Sequence, residues 1–453
     1  MPWTRVPVPL RWLVAAALLA GVSWALLVPP WQAPDEDAHF AYVQTVAELG
    51  RLPRDDGRRA LDAAKSTEQD LAEVASGYRD SGQRIEERPE WDPRAFARWK
   101  TVQAALPASA RKDGGGVGRA GGNPPGYYLY AAIPYLAARS GGIFDQLYLM
   151  RVWSVLLLGL LVVSGWLLAG EVVGRDRTAQ LLAGAVCGLA PMATFVSATV
   201  SPDALIYPLW GFAFWLCARI VRRGAARREV VALVLVVLCA LVVKPVSVAL
   251  LPGVLWALAW RRIPLRAVAA VVGLTVVVAT VVVPGGPRRF LSYQWQFYVP
   301  FDAGTNVLPQ LAPWPLRDTW LEGTVGAFGW LEVRLPWWYY AAAAGVIVVV
   351  AVGALRRIDL RRDAPLLLVF ALPAFALVAG LHLTEEWFLV REHSGFTQGR
   401  YLLPLLPVAG TAVAVAFAGL PARRRAVVAG AGLGLLVVAQ LASLAAVAGR
   451  FYA

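Results

Sequence analysis

Long apolar segments dominate this sequence and restrict what the chain can fold into. A helix that crosses the hydrocarbon core of a bilayer needs about 20 predominantly apolar residues, and the 453-residue sequence predicts about eleven such helices. They are expected near residues 10–29, 148–172, 178–200, 203–221, 229–243, 245–260, 265–284, 337–355, 364–382, 400–420 and 425–447. With 58% hydrophobic and 16% charged residues, the composition is that of an all-α, multi-pass membrane protein.

The charged residues predict the orientation of these helices. The net charge of +13 needs no nucleic-acid partner, because Lys and Arg occur in short clusters between apolar segments, as in cytoplasmic loops. The clusters lie at 175–177, 222–228, 261–266, 356–362 and 423–425. All five can be cytoplasmic together if the N-terminus, with Arg5 and Arg11, is cytoplasmic too. This predicts a protein of the cytoplasmic (inner) membrane.

The same orientation divides the chain into five parts. They are a first transmembrane helix acting as a signal anchor (1–29), a large extracytoplasmic loop with juxtamembrane helices (30–147), a transmembrane core (148–284), a second extracytoplasmic loop (285–336) and a C-terminal transmembrane bundle (337–453). Within the large loop, residues 40–49 have the spacing of an amphipathic helix lying on the membrane. Residues 51–113 and the glycine-rich 114–122 are expected to form a mobile loop.

The apolar stretch at 124–139 is short, rich in tyrosine and interrupted by proline. We interpret it as a juxtamembrane or re-entrant helix that begins and ends outside. The alternative is a true span, which would place one basic cluster on the wrong side of the membrane.

Polar residues next to the spans fall on one predicted side, the outer side. They are Asp35, Glu36, Asp37 and His39 after the first span, Asn123, Arg151, Asp203, Lys244, and the segment from Thr397 to Tyr401. Each has a structural explanation: an arginine can extend to lipid headgroups, and Asp203 can cap the following helix. Ionisable groups at membrane depth are costly and usually functional, so their joint placement predicts a site.

Five strings at these positions resemble one family. They are Pro34-Asp35-Glu36-Asp37-Ala38-His39-Phe40, Asn123-Pro124-Pro125-Gly126-Tyr127-Tyr128, Ser201-Pro202-Asp203-Ala204, Lys244-Pro245 and Gln398-Gly399-Arg400-Tyr401-Leu402. Together they resemble the DUF2142 bacterial membrane proteins, which are similar to the GT-C glycosyltransferases. The resemblance implies a GT-C-like helical fold and transfer of a sugar from a polyprenyl-phosphate donor to a cell-envelope glycan, lipid or protein on the outer face of the membrane. It also implies an acid in the first outer loop, here Asp35 with Glu36, and a second acid, Asp203.

The residue types suit that reaction. Arginine and lysine can stabilise a departing lipid phosphate, and a carboxylate can accept the proton of the attacking hydroxyl. We predict Asp35 as general base with Glu36 and His39 in support. Substrate binding is assigned to Arg151, Lys244, Gln398, Arg400, Tyr401 and Asn123. A divalent cation, Mg²⁺ or Mn²⁺, is a further prediction at Asp35 and Asp203, although Asp203 lacks the paired acid of a tight metal site.

Two groups of loop residues have a second interpretation. The aromatic residues of the second outer loop can stack on sugars or form an interfacial belt; they are Tyr293, Trp295, Phe297, Tyr298, Trp314, Trp320, Trp330, Trp337 and Trp338. His382, Glu385, Glu386, Glu392 and His393 show no metal-binding spacing and are predicted to line the entrance from a loop.

Two other functions fit a polytopic chain. A transporter or flippase of lipid-linked or envelope precursors would show repeats and polar groups near the bilayer midplane, and neither is evident. A polysaccharide ligase or polymerase would carry its large loop late in the chain. The three cysteines lie in apolar segments without CxxC spacing, which indicates neither zinc nor disulfides.

Overall fold

The computed structural model describes residues 6–54, 64–77, 92–262, 316–391 and 397–452, with positions 273, 274, 277 and 395. The described chain is almost entirely helical, as predicted. Its helices are α1 (Val8–Leu27), α2 (Glu36–Leu49), α3 (Thr67–Ala75), α4 (Ala95–Ala105), α5 (Gly126–Ala137), α6 (Ile143–Val173), α7 (Arg177–Leu189), α8 (Pro191–Ser197), α9 (Asp203–Arg223), α10 (Arg227–Val243), α11 (Leu251–Trp260), α12 (Trp337–Leu355), α13 (Leu360–Arg391), α14 (Leu406–Ala418) and α15 (Ala422–Tyr452).

Shorter elements connect them. Helices of the 3₁₀ type cover Ala108–Arg111, Pro245–Leu250 and Gly399–Leu405, and a π-helix covers Leu316–Glu322. Strands β1 (Ala327–Phe328) and β2 (Val333–Arg334) form an antiparallel hairpin in which Phe328 pairs with Val333.

Seven described helices are long and apolar enough to cross a membrane, and an eighth span results if α7 and α8 are counted as one bent segment. These agree with eight of the eleven predicted spans. The predicted spans at 229–243 and 245–260 are helical, but α10 has 17 residues and 245–260 divides into a 3₁₀ turn and the 10-residue α11. The proline after Lys244 produces this break. The predicted span at 265–284 lies outside the described residues apart from three isolated positions.

Helix α6 is the centre of the bundle. It packs against α1, α7, α9 and α14, and most of its apolar residues are buried. Small residues allow the close approach of these helices: a Cβ atom at Gly211 of α9 would collide with the side chain of Ser164 of α6.

A buried glutamine stabilises the break between α7 and α8, which are bent by 56°. The Nε2 of Gln440 donates to the carbonyl of Leu189 and to Thr194 Oγ1, and its Oε1 accepts from Trp24 Nε1. A carbonyl freed at a helix end within a membrane needs such a partner. The predicted single span at 178–200 is therefore one bent segment, followed by α9 beginning at Asp203.

The outer loop is more ordered than predicted. Helix α2 does not lie exposed on the membrane, because every residue from Glu36 to Thr45 is buried by protein. The segment expected to be mobile contains α3, α4 and a 3₁₀ turn, and its glycine-rich part is pinned by Gly115, which donates to Ala64 O and accepts from Arg54 N. Residues 55–63 and 78–91 lie outside the described part.

Helix α5 has 12 residues and is about 18 Å long at 1.5 Å per residue, too short to cross a bilayer. It packs between α2 and α6. This agrees with the interpretation of 124–139 as a juxtamembrane helix.

The two ends of the bundle differ in character. At one end the basic clusters contact one another and neighbouring helix ends: Arg425 pairs with Asp176, Arg357 donates to Gly419 O, and Arg222 donates to Glu171 O. The acids and cations predicted to form a site lie at the other end. Helix α9 joins the two ends, with Asp203 in its first turn and Arg222 in its last.

Candidate active site

The turn between α1 and α2 presents Asp35 in an uncommon conformation. Asp35 precedes α2 with φ 61° and ψ 10°, the left-handed region, and Trp31 in the same turn has φ 66°. Such conformations are costly for residues other than glycine and cluster at functional sites. The Asp35 side chain makes no capping hydrogen bond to the helix. Its carboxylate instead faces a cation from the far end of the sequence.

That cation is Arg400, which lies between two carboxylates. Its Nη2 donates to Asp35 Oδ2 at 2.5 Å, its Nη1 donates to Pro34 O at 3.1 Å, and its Nε lies 3.8 Å from Asp203 Oδ2. The Arg400 side chain is 3% exposed. Within the described part of the chain, its buried Nε has no hydrogen-bond partner. A buried guanidinium with an unused donor points to a ligand at this position.

Lys244 and Tyr401 complete this group. Lys244 Nζ donates to Asp203 Oδ1 at 2.6 Å and remains 20% exposed. The Tyr401 ring lies next to both cations, 4.9 Å from Lys244 Nζ and 5.4 Å from the guanidinium carbon of Arg400, distances typical of cation–π contacts. The structure therefore brings together Asp35, Asp203 and these three predicted binding residues.

The backbone around Arg400 is held by close contacts. Tyr207 of α9 donates to Arg400 O at 3.1 Å, and Thr324 donates to Gly399 O at 3.0 Å. A Cβ atom at Gly399 would collide with the backbone of Gly323 and Thr324. Glycine is therefore required at this position for the second outer loop to pack against the site. Gln398, just before it, is partly buried, and among the described residues its Oε1 has no partner.

The cations determine the charge state of Asp35. Burial among protein atoms would raise the pKa of Asp35, but the positive charge of Arg400, assisted by that of Arg119, outweighs this effect and lowers the pKa below its ordinary value. An opposite charge at this distance favours the ionised carboxyl. Asp35 is therefore a carboxylate at neutral pH and able to accept a proton.

His39, one turn into α2, is buried and neutral. Burial lowers its pKa to about 4, with opposing contributions from Asp35 and Arg400. Its Nδ1 lies 2.9 Å from Tyr128 OH, which also accepts a hydrogen bond from Asn123 Nδ2 at 3.0 Å. If the tyrosine proton points to His39 Nδ1, the imidazole proton lies on Nε2. Asn123 thus contacts His39 through Tyr128, and its role in substrate binding stays a prediction.

Glu36 and Arg151 have a different environment from the one predicted. Arg151 is fully buried, and all five of its N–H donors are used within the chain. Nε and Nη2 donate to the Glu36 carboxylate at 2.8 and 2.5 Å, and the remaining donors bind the carbonyls of Ala25, Val28 and Pro29. No donor is left for a lipid phosphate, and Glu36 is not free to assist Asp35. We therefore correct both assignments: this pair supports the turn that carries Asp35.

A second ionic network beside the site was not singled out as functional from the sequence. Asp37 is buried and binds Lys65 at 3.0 Å and Arg119 at 2.7 Å. Arg119 also lies 5.6 Å from the ring of Trp330, whose Nε1 donates to Trp31 O. This network attaches the glycine-rich segment and the β1–β2 hairpin to the turn before α2. Arg119 follows a Gly-rich run in the sequence, and no spacing signal connects it to Asp37.

The remaining predictions fall partly outside the described residues. His382, Glu385 and Glu386 belong to helix α13, not to a loop, because the helix continues to Arg391; Glu392 and His393 lie outside the described part. Trp337 and Trp338 are 79% and 59% exposed, which fits the interfacial belt. The other aromatic residues of this prediction include five that lie outside the described part of the chain: Tyr293, Trp295, Phe297, Tyr298 and Trp314.

The donor set does not fit a tightly held metal. Within the described ranges, no three His, Cys, Asp or Glu side chains are grouped as a metal site would require. Asp35 and Asp203 each already neutralise a cation, and Arg400 lies between them. No step below uses Mg²⁺ or Mn²⁺, and metal dependence stays a prediction.

The bundle and its one-ended site define a polytopic membrane protein with the GT-C fold. Two of the solved structures with a similar fold are of ArnT. ArnT from Cupriavidus metallidurans in the apo state matches with a TM-score of 0.51 and 14% identity over 96% of this chain and 75% of that chain. ArnT bound to undecaprenyl phosphate matches with a TM-score of 0.50 and 16% identity over 94% of this chain. This chain spans 63% of that second structure.

The family is shown by the sequence itself. Residues 18–409 match the model of the family described as "Predicted membrane protein (DUF2142)", and the chain belongs to that family. No curated protein matches it.

Proposed function

We propose that the protein is a GT-C-type glycosyltransferase of the cytoplasmic membrane. In this proposal it transfers a sugar from a polyprenyl-phosphate donor to a glycan, lipid or protein of the cell envelope on the outer face, with the N-terminus inside. The observation that carries the proposal is Arg400, buried between Asp35 and Asp203 with an unused Nε donor and with Lys244 close by.

Arg400 and Lys244 suit a lipid phosphate at the membrane surface. Arginine binds phosphate through two parallel hydrogen bonds, and lysine adds a point charge. Both lie at helix ends on one side of the bundle, the depth at which a lipid headgroup is presented. A similar fold binding undecaprenyl phosphate in the ArnT structure supports this class of donor.

The reaction then proceeds by displacement at the sugar's anomeric carbon. The acceptor hydroxyl oxygen forms the new bond to this carbon, the bond between the carbon and the phosphate oxygen breaks, and the phosphate leaves with the electron pair. Asp35 takes the hydroxyl proton, while Arg400 and Lys244 stabilise the charge that develops on the phosphate. A phosphate that draws Arg400 away from Asp35 also raises the pKa of Asp35, which makes the carboxylate a stronger base when the donor is bound.

His39 serves as a hydrogen-bond donor in this mechanism. Its Nδ1 faces Tyr128, and its low pKa keeps the ring neutral. In the tautomer that carries the proton on Nε2, this proton orients a substrate oxygen near Asp35.

The experiment that tests this proposal first measures lipid binding and then measures sugar transfer. Purified protein in lipid nanodiscs is titrated with undecaprenyl phosphate and, as the matched control, with undecaprenol, which lacks the phosphate. We expect binding of the phosphate only, lost in Arg400→Gln, and then sugar transfer from a panel of undecaprenyl-phosphate sugars to envelope extract. Equal binding of both lipids, or binding unaffected by Arg400→Gln, contradicts the proposal.

A further inference from the structure

The Glu36–Arg151 ion pair connects the two acid-bearing turns of the site. Glu36 follows Asp35 directly, and its Oε1 accepts a hydrogen bond both from Arg151 and from the backbone N–H of Val200 at 3.1 Å. Val200 lies three residues before Asp203. A single carboxylate, 0% exposed, therefore contacts the Asp203 turn while being part of the Asp35 turn.

Arg151 fixes this carboxylate to the end of α1. It donates to three carbonyls at and just beyond the last turn of α1, those of Ala25, Val28 and Pro29, a region where the end of a helix leaves carbonyls without intrahelical partners. The turn from α1 to α2 is thereby held at both of its ends by one side chain. This explains how Asp35 maintains a left-handed backbone, which an unsupported turn would relax.

A neighbouring residue of α6 reinforces the second turn. Ser154, one turn beyond Arg151, lies 2.9 Å from Tyr127 OH, and this oxygen accepts from the backbone N–H of Ser201 at 2.9 Å. One face of α6 thus holds both the Asp35 turn and the Asp203 turn.

We propose that the buried Glu36–Arg151 pair is a positioning device that sets the spacing of Asp35 and Asp203 around Arg400. We assign its effect to the bond-breaking step and not to lipid binding, because the backbone that carries Arg400 is held separately, by Tyr207 at Arg400 O and by Thr324 at Gly399 O. The mechanistic half of this inference rests on the proposed transferase function. The structural half, the coupling of the two turns through α6, does not.

Substitutions can distinguish an ion pair that only stabilises the fold from one that positions Asp35 and Asp203. Replacing a buried ion pair by apolar groups is often neutral or stabilising, so a positioning role is tested with substitutions that keep the charge. Arg151→Lys retains the cation but cannot reach five acceptors. Glu36→Asp retains the anion but withdraws it from Val200.

Arg425→Lys is the matched control. Arg425 also joins a carboxylate, Asp176, to helix-end carbonyls, those of Leu420 and Ala418, but at the opposite end of the bundle.

The first measurement is amide hydrogen exchange, which needs no activity. Exchange should accelerate at residues 28–37 and 198–204 in Arg151→Lys and in Glu36→Asp, remain unchanged at 399–405, and remain unchanged in all three segments in Arg425→Lys. Unchanged exchange at 198–204 in both site variants would overturn the inference. If wild-type protein transfers no sugar, the proposed function fails, and this measurement still decides the coupling.

The second measurement separates binding from turnover. Turnover is expressed per undecaprenyl-phosphate-binding site, so that unfolded protein does not count. A positioning role predicts a fall in turnover of about 10- to 100-fold, the scale of a misplacement of about 1 Å, with the Kd for undecaprenyl phosphate at the wild-type value. Wild-type turnover per binding site in both variants, or an equal loss of binding and turnover, would contradict it.

Discussion

Arg400 Nη2 lies 2.5 Å from Asp35 Oδ2, although the two residues are 365 positions apart in the sequence. Asp35 closes the turn between α1 and α2, and Arg400 is the second residue of the 3₁₀ helix that precedes α14. Their contact joins the two ends of the family-matched region into one site. It also means that a bound phosphate has to compete with Asp35 for the guanidinium, so the donor and the general base are coupled through one side chain.

Arg400→Lys is predicted to reduce turnover by about 10²-fold or more, the scale of removing one preorganised donor to a developing anion. Lysine keeps the charge but loses the planar pair of donors and the bond to Pro34 O. The measurement is kcat and apparent donor affinity. Arg450→Lys is the control, because Arg450 lies beside the Phe451 ring near the C-terminus and is not a member of the group formed by Asp35, Asp203, Lys244 and Arg400. Equal, near-wild-type rates in both variants would remove Arg400 from the site.

Chelation is predicted to leave sugar transfer unchanged. Asp35 and Asp203 already have cationic partners in Arg400 and Lys244, so they need no metal to balance their charge, and the same two cations can stabilise a leaving phosphate. The check is turnover of wild-type protein before and after dialysis against EDTA. A large loss that is restored by Mg²⁺ or Mn²⁺ would instead show that the carboxylates hold a metal.

His39 is predicted to make the folded state less stable in acid. Its pKa in the folded state is about 4 against an ordinary value of 6.5, so the unfolded chain binds the proton first as pH falls. The free energy of unfolding should therefore decrease between about pH 6.5 and pH 4, by about 3 kcal/mol in total. The His39→Gln variant should lose this component.

The measurement is the Tm of both proteins in detergent at pH 7 and pH 4.5. Other groups titrate in both samples, so the difference between the two slopes reports His39. Parallel slopes would mean that the pKa of His39 does not differ between the folded and unfolded states.

The predicted topology places both ends of α5 on the same side of the membrane. In a Cys239→Ala background, cysteines at Gly122 and Ser140 should both react with an impermeant maleimide added to whole cells. A cysteine at Ala226, in the basic end of the bundle, should react only after permeabilisation. Labelling of just one of the first two positions would make α5 a span.

The sequence was informative where the physical signal is local. Apolar length predicted eight of the eleven expected spans correctly, and the clustering of Lys and Arg predicted that those residues would share one end. Both outer acids and both cations of the Arg400 group were recognised because ionisable residues next to a span are rare. Their mutual contacts depend on how the helices pack. From the sequence, we could infer only that these residues lie on the same side of the membrane.

The assignments that changed depended on long-range partners. Arg151 and Lys244 look alike in sequence, each being a lone cation at the edge of a span, yet one is saturated by Glu36 and three carbonyls while the other remains partly exposed. The order in the outer loop likewise comes from Asp37 and its partners Lys65 and Arg119, which are far apart in the chain. From composition alone, that loop was predicted to be mobile.

Transfer by wild-type protein and by Asp35→Asn, measured side by side, tests the central claim most directly. The amide occupies the same space as the carboxylate but cannot take the acceptor proton, and Asp35 lies in a turn, so the variant should fold and bind undecaprenyl phosphate. With a labelled undecaprenyl-phosphate sugar and envelope extract, the wild type should transfer the label and the folded variant should transfer none above background. Turnover at the wild-type rate by Asp35→Asn would contradict this account of the site.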